Sequence, residues 1–149
     1  MMKRKSDTGN GLNIFQQTPG KTDTKRRAEI FLTFSGNCRS ALLHYQKCFG
    51  GTVSFQTFSR RLTELLTEPV ICGSLISNTV IIHGSDLVAD EGRIIGNCIA
   101  IYLKFNSRSQ RKNLIDMLTE RKKDLPETAL SNKLVEITDA FGTRWILGT

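Results

Sequence analysis

At 149 residues the chain is long enough for one domain or two small fused modules, and its 39% hydrophobic and 23% charged residues are those of an ordinary globular protein. No apolar run approaches the roughly 18 residues of a membrane span, and the basic N-terminus lacks the apolar stretch of a secretory signal. The net charge of +7 is uneven: residues 1–27 hold seven Lys and Arg against Asp7 and Asp23, which is +5 and leaves +2 for the rest.

Residues 1–27 are rich in Gly, Thr, Gln and Asn, with little apolar content beyond Leu12, Ile14 and Phe15. The segment reads as a basic, mostly disordered tail that buries too little surface to offset its ordering entropy. Its cations could touch nucleic-acid phosphates. No aromatic residues are interleaved with them, however, so nucleic acid is not an expected partner.

Glu29–Phe34 alternates as a β-branched and aromatic strand, which Ser35-Gly36-Asn37 breaks, with Asn37 as a helix N-cap. Cys38, Ala41, Leu42, Tyr45, Cys48 and Phe49 then share one helix face, and Gly50-Gly51 stops the helix. Thr52–Ser59 is a second strand with Val53, Phe55 and Thr57 on one face. Arg60–Glu68 suits a short helical turn, ended by Pro69. Val70–Ser77 and Thr79–Gly84 form a hairpin turning near Ser77-Asn78. Ser85–Gly96 is an acidic, Gly-containing loop, and Asn97–Phe105 is the fifth strand. Ser107 or Ser109 caps a second helix with a buried stripe of Leu114, Ile115 and Leu118. Arg121-Lys122-Lys123 follows at the end of the helix that attracts cations. Leu134–Thr138 and Thr143–Leu147 are the last strands, joined by Asp139-Ala140-Phe141-Gly142.

The pattern occurs twice. Ile101-Tyr102-Leu103-Lys104-Phe105 follows Ile30-Phe31-Leu32-Thr33-Phe34 by 71 residues, and each strand–helix unit leads to a late hairpin. The hairpin turns, at Asn78 and Gly142, are only 64 residues apart. The second unit is therefore shorter, and the missing piece falls around Asp124–Asn132, where its second strand is expected to be short, irregular or absent. The fold class predicted is α+β: two βαβββ modules, about 28–90 and 97–149, whose sheets form a curved half-barrel with one helix outside each. Leu42, Tyr45, Phe49, Leu114 and Leu118 are the expected helix–sheet core.

Several segments match the words of a known family. They are Phe31-Leu32-Thr33-Phe34 with Gly36-Asn37-Cys38, then Ala41, Tyr45, Phe49-Gly50-Gly51, Gly84-Ser85-Asp86, Gly96-Asn97, and Thr138 to Trp145. Together they resemble the vicinal oxygen chelate superfamily (glyoxalase, bleomycin resistance and extradiol dioxygenase proteins), and within it the PhnB-like branch. The resemblance covers about Glu29–Thr149, making residues 28–149 a glyoxalase-like domain behind the tail. It implies a ligand cleft between the modules and pairing into a homodimer.

The resemblance also implies where a metal would sit. Members that catalyse reactions chelate a divalent metal with His, Glu or Gln from the first and last strands of each module, and the metal polarises neighbouring substrate oxygens. Here the first strand offers Thr33, and the fifth offers Asn97, Cys98 and Tyr102. Ile146 stands where a Glu is usual, and Cys72 where the branch often has a His. His83 is a weak remaining candidate, and one imidazole does not make a site that takes at least three protein ligands. The ordinary reading of His83 is a hydrogen-bonded structural residue, and that of His44 is a surface residue. Glu136 faces either the cleft, as a general base, or solvent. Trp145 anchors the core or walls the cleft.

The cleft candidates are therefore Thr33, Cys72, His83, Tyr102, Glu136 and Trp145, with no catalytic residue assigned and no cofactor expected. The donor count leans against an enzyme without deciding the matter. The expected function is binding of a small molecule, as drug-sequestering relatives do. The alternatives are a metal-dependent lyase, isomerase or dioxygenase and a nucleic-acid-associated protein. The four cysteines show no CxxC pair and lie in apolar patterns, so they read as reduced, buried thiols of a cytoplasmic protein.

Overall fold

The computed structural model describes residues 28–57, 68–87, 93–121 and 125–149. The expected tail over 1–27, the helical turn over 60–67, part of the acidic loop and Lys122-Lys123 lie outside the described residues.

The first half runs β1 (Ile30–Thr33), α1 (Cys38–Phe49), β2 (Thr52–Thr57), β3 (Val70–Ile76) and β4 (Ile81–Ser85). Its sheet has the order β1-β4-β3-β2, with β1 parallel to β4 and the other pairs antiparallel. A parallel pair needs a crossover, and α1 begins it. The stop after α1 is obligatory glycine: Gly51 has φ +90°, and a Cβ there would lie 2.2 Å from the Ile76 carbonyl oxygen.

The N-terminus of α1 is capped from elsewhere in the chain. Asn37 makes no side-chain cap bond. The Cys38 amide instead donates to Asp86 Oδ1 at 2.9 Å, while Asp86 Oδ2 accepts from the Val70 amide, also at 2.9 Å. One carboxylate thus satisfies a helix-end donor and ties the start of β3 to the end of β4. That is the structural work of Gly84-Ser85-Asp86.

The second half runs β5 (Ile101–Lys104), α2 (Arg108–Leu118), α3 (Glu127–Ser131), β6 (Leu134–Thr138) and β7 (Arg144–Gly148), with sheet order β5-β7-β6. β5 is parallel to β7, and β6 antiparallel to it. This is the path of the first half less its second strand. α3 stands in that place, in the segment where the strand was expected to be short or absent. Leu125-Pro126-Glu127-Thr128-Ala129-Leu130 lacks strand alternation, and Pro126 sits at the helix N-cap.

Arg111, fully buried on α2, holds α3 down. Its guanidinium donates to the carbonyls of Leu130 (2.5 Å), Lys133 (3.2 Å) and Leu147 (3.3 Å). Ser107 rather than Ser109 caps α2, its Oγ accepting from the Gln110 amide.

Three expectations need correction. β5 begins at Ile101, not Asn97, because its partner β7 begins at Arg144 and the residues before that form a turn. Cys98 therefore lies outside any strand and is exposed, and Cys48 is only partly buried. His44 is not a plain surface residue: it is partly buried, with its ring 5.5 Å from that of Phe141.

The core lies between helices and sheets. Leu42, Tyr45, Leu75, Ile82, Ile115, Leu118, Trp145 and Leu147 are almost completely buried, with Leu114 beside them. Phe49 is only partly buried, its ring tilted against Trp145 at 5.4 Å. Among the described residues no helix is long and apolar enough to cross a membrane.

Candidate functional site

Strand alternation sorts the candidate residues by face. In the first sheet, Ile30, Leu32, Ile82, Leu75 and Gly73 face α1, and a Cβ on Gly73 would meet the Leu42 side chain at 2.5 Å. The opposite, open face therefore carries Phe31 and Thr33 of β1, Ile81 and His83 of β4, Cys72 and Ser74 of β3, and Ser54 and Gln56 of β2. In the second sheet the row Tyr102–Ile146–Glu136 crosses the open face. Trp145 belongs to the other row, Ile101–Trp145–Ile137, and is fully buried. It walls the core and not a cleft.

Five of the six candidates thus occupy open faces, in two groups: Thr33, Cys72 and His83 on the first sheet, Tyr102 and Glu136 on the second. Where the two halves adjoin there is a recess of about 320 Å³, lined by Ile30, Val80 and Ile81 from the first half and Ile101, Tyr102 and Leu103 from the second. Tyr102 is the candidate that lines it.

The polar groups on these faces are linked. His83 Nδ1 lies 2.8 Å from Ser74 Oγ, and its Nε2 lies 2.6 Å from Glu29 Oε2. Glu136 is exposed and accepts from Arg144 Nε at 2.9 Å, a surface pair worth little on its own. Burial raises the Cys72 thiol above its ordinary value, partly offset by a hydrogen bond with Ser74. Burial first, and the Asp86 charge second, push Cys38 up to about 12. Both stay protonated at neutral pH, which makes them poor nucleophiles and poor metal ligands.

Comparison with solved structures decides the fold. The chain is similar to protein PA1353 from Pseudomonas aeruginosa, with 22% identity and a TM-score of 0.66 over 83% of this chain and 97% of that one. It is similar to the PhnB protein from Bacillus cereus at 17% identity and TM-score 0.58, covering 83% and 98%. A possible glyoxalase from Bacillus cereus matches at 13% identity and TM-score 0.50, covering 83% and 100%. The fold is that of the PhnB-like and glyoxalase-like proteins. No family model matches the sequence, and neither does any curated protein.

Among the described residues the donors do not make up the metal centre that the resemblance implies. Glu29 and His83 supply one carboxylate and one imidazole, already bonded to each other. Among the described residues no three His, Cys, Asp or Glu side chains come together as a metal site, whereas catalytic sites use about three protein ligands.

The closing words of the PhnB-like resemblance have a structural role. The buried Asp139 carboxylate receives the Phe141 and Thr143 amides on Oδ1, each at 2.9 Å. Its Oδ2 accepts from the Tyr45 hydroxyl at 2.7 Å and from Trp145 Nε1 at 2.9 Å. Tyr45 is on α1, so this carboxylate fastens the first half to the last hairpin. Burial, and then the Asp139 charge, raise the Tyr45 hydroxyl far above its ordinary range.

Proposed function

We propose that this chain is a PhnB-like member of the vicinal oxygen chelate superfamily. In this reading it binds a small molecule against the open sheet faces, as a cytoplasmic homodimer and without a catalytic metal. The observation that carries the reading is the seam recess together with apolar side chains on uncovered faces: Phe31, Ile76, Tyr102 and Leu134 are each more than half exposed. Such residues gain by being covered, at about 25 cal/mol per Å². Strand β6 adds a reason for pairing. Among the described residues it is paired only with β7, and an open edge favours association. The four free thiols support a reducing compartment.

Native mass spectrometry of the purified full chain, with metal analysis, tests all of this. The expected result is a dimer mass, a co-purified or titratable small molecule, and no stoichiometric Zn, Ni, Fe or Mn. A monomer at tens of micromolar with no bound molecule overturns the reading. A tightly held metal that His83→Ala releases replaces it with the metal-enzyme reading.

A further inference from the structure

We propose that Ser74, His83 and Glu29 form a nucleophile relay, making the open face of the first sheet an esterase site for small carboxylic esters with apolar acyl groups. This goes beyond reversible binding at the cleft. The relay comes from register: antiparallel pairing sets Ser74 directly opposite His83, and alternation puts Glu29 on the same face as Phe31, the parallel partner of His83.

The distances are those of a working base and nucleophile. Ser74 Oγ is 2.8 Å from His83 Nδ1, and His83 Nε2 is 2.6 Å from Glu29 Oε2, within the roughly 2.6–3.2 Å that such pairs require. With the neutral imidazole's proton on Nε2, facing the carboxylate, the Nδ1 lone pair faces the serine hydroxyl. This is the nucleophile–base–orienting acid order of serine hydrolases, with the two ring nitrogens exchanged. The side chains of His83 and Glu29 are 14% and 30% exposed, so the pair is sheltered yet reachable.

The neighbours fit an ester. Ser54 lies across from Ser74 and Gln56 across from Cys72 on the same face, so a hydroxyl and an amide share the face on which an oxyanion would develop. Phe31, Ile76 and Ile81 flank the relay and offer an apolar surface to an acyl chain, Phe31 and Ile76 being 51% and 55% exposed.

The step balances with water as the only co-reactant. Ser74 Oγ attacks the ester carbonyl carbon as its proton passes to His83 Nδ1. The C–O bond to the alcohol breaks, and that oxygen takes the proton. Water, deprotonated by the same nitrogen, then releases the carboxylic acid and restores Ser74. Glu29 is a positioning residue: it holds the ring and compensates its transient positive charge.

The test uses the full chain with p-nitrophenyl butyrate, and separately with diisopropyl fluorophosphate read by intact-mass and peptide mapping. The expected result is p-nitrophenolate release and a single phosphoryl adduct on Ser74. Ser74→Ala and His83→Gln should lower release at least about 100-fold. Glu29→Gln should lower kcat about 10-fold with KM unchanged, all three with native circular dichroism. An unlabelled Ser74 in the native chain, or release unchanged in Ser74→Ala, overturns the proposal. Labelling of the unmutated chain does not depend on any variant folding. Because Ser74→Ala leaves the recess intact, the dimer mass and co-purified ligand report separately on the binding reading.

Discussion

Replacing Tyr45 with Phe removes one hydroxyl and no packing volume, and so isolates that hydroxyl's links from α1 to the last hairpin, to Asp139 and to Thr143 Oγ1 at 2.9 Å. That hydroxyl donates to a buried carboxylate at 2.7 Å, and a hydrogen bond to a charged acceptor contributes about 1.5–3 kcal/mol. Asp139 keeps its other three donors, so the lower part of that range applies: about 1.5–2 kcal/mol, or roughly 6–8 °C in Tm for a domain of this size. Asp139→Asn should cost more, about 3 kcal/mol. An amide retains one acceptor oxygen for the Phe141 and Thr143 amides but turns an NH₂ toward the Trp145 N–H. In the Asp139→Asn background the Tyr45→Phe penalty should shrink by about 1 kcal/mol, since residues in one network couple. Urea unfolding followed by fluorescence is a direct assay, because the chain's single tryptophan, Trp145, belongs to the network. A Tyr45→Phe loss below about 0.5 kcal/mol, or strict additivity in the double mutant, would refute the reasoning.

Three further outcomes are expected. Stability should fall as pH rises from about 9 upward: Cys48 is raised to about 11 and Cys38 to about 12, each from 9.0, chiefly by burial, and Tyr45 is raised further. The unfolded chain releases these protons first, so their contribution is complete below the unfolded values and is lost above them. Tm measured against pH should show this, with a shallower fall above about pH 10 in Tyr45→Phe. Arg111→Leu should destabilise by about 2–3 kcal/mol in urea unfolding, leaving the carbonyls of Leu130, Lys133 and Leu147 without their donor; an unchanged midpoint would mean α3 is held by its apolar contacts alone. Gly51→Ala should lower Tm sharply, by at least about 2 kcal/mol equivalent, because its Cβ would overlap the Ile76 carbonyl oxygen.

The repeat at 71 residues and the 64-residue spacing of the turns carried the fold, including the missing strand, because hydrophobic period and glycine stops are local signals. Long-range partners were not legible. Asn37 is a good N-cap by composition, yet Asp86 takes the role from 48 residues away. Arg111 lies on a mostly polar helix, and only the place of α3 shows why it is buried. Trp145 could be assigned to either face of its strand until β7 was paired in register with Ile137 and Ile101. The Ser74–His83–Glu29 contacts draw on three strands or their flanks, and no spacing within the sequence announces them.

The tie between Tyr45 and Asp139 also sets an order on synthesis. Helix α1 leaves the ribosome 94 residues before the carboxylate that receives its buried hydroxyl. At roughly 5–20 residues per second, that is a wait of about 5–20 s. Once Asp86 has emerged, about halfway through, the first sheet can form with that carboxylate capping α1, but the flank of the helix bearing Tyr45 and Phe49 still has nothing to lie against. The nascent chain is therefore most open to wrong partners while its first half is complete, and the arrival of the last hairpin closes that interval.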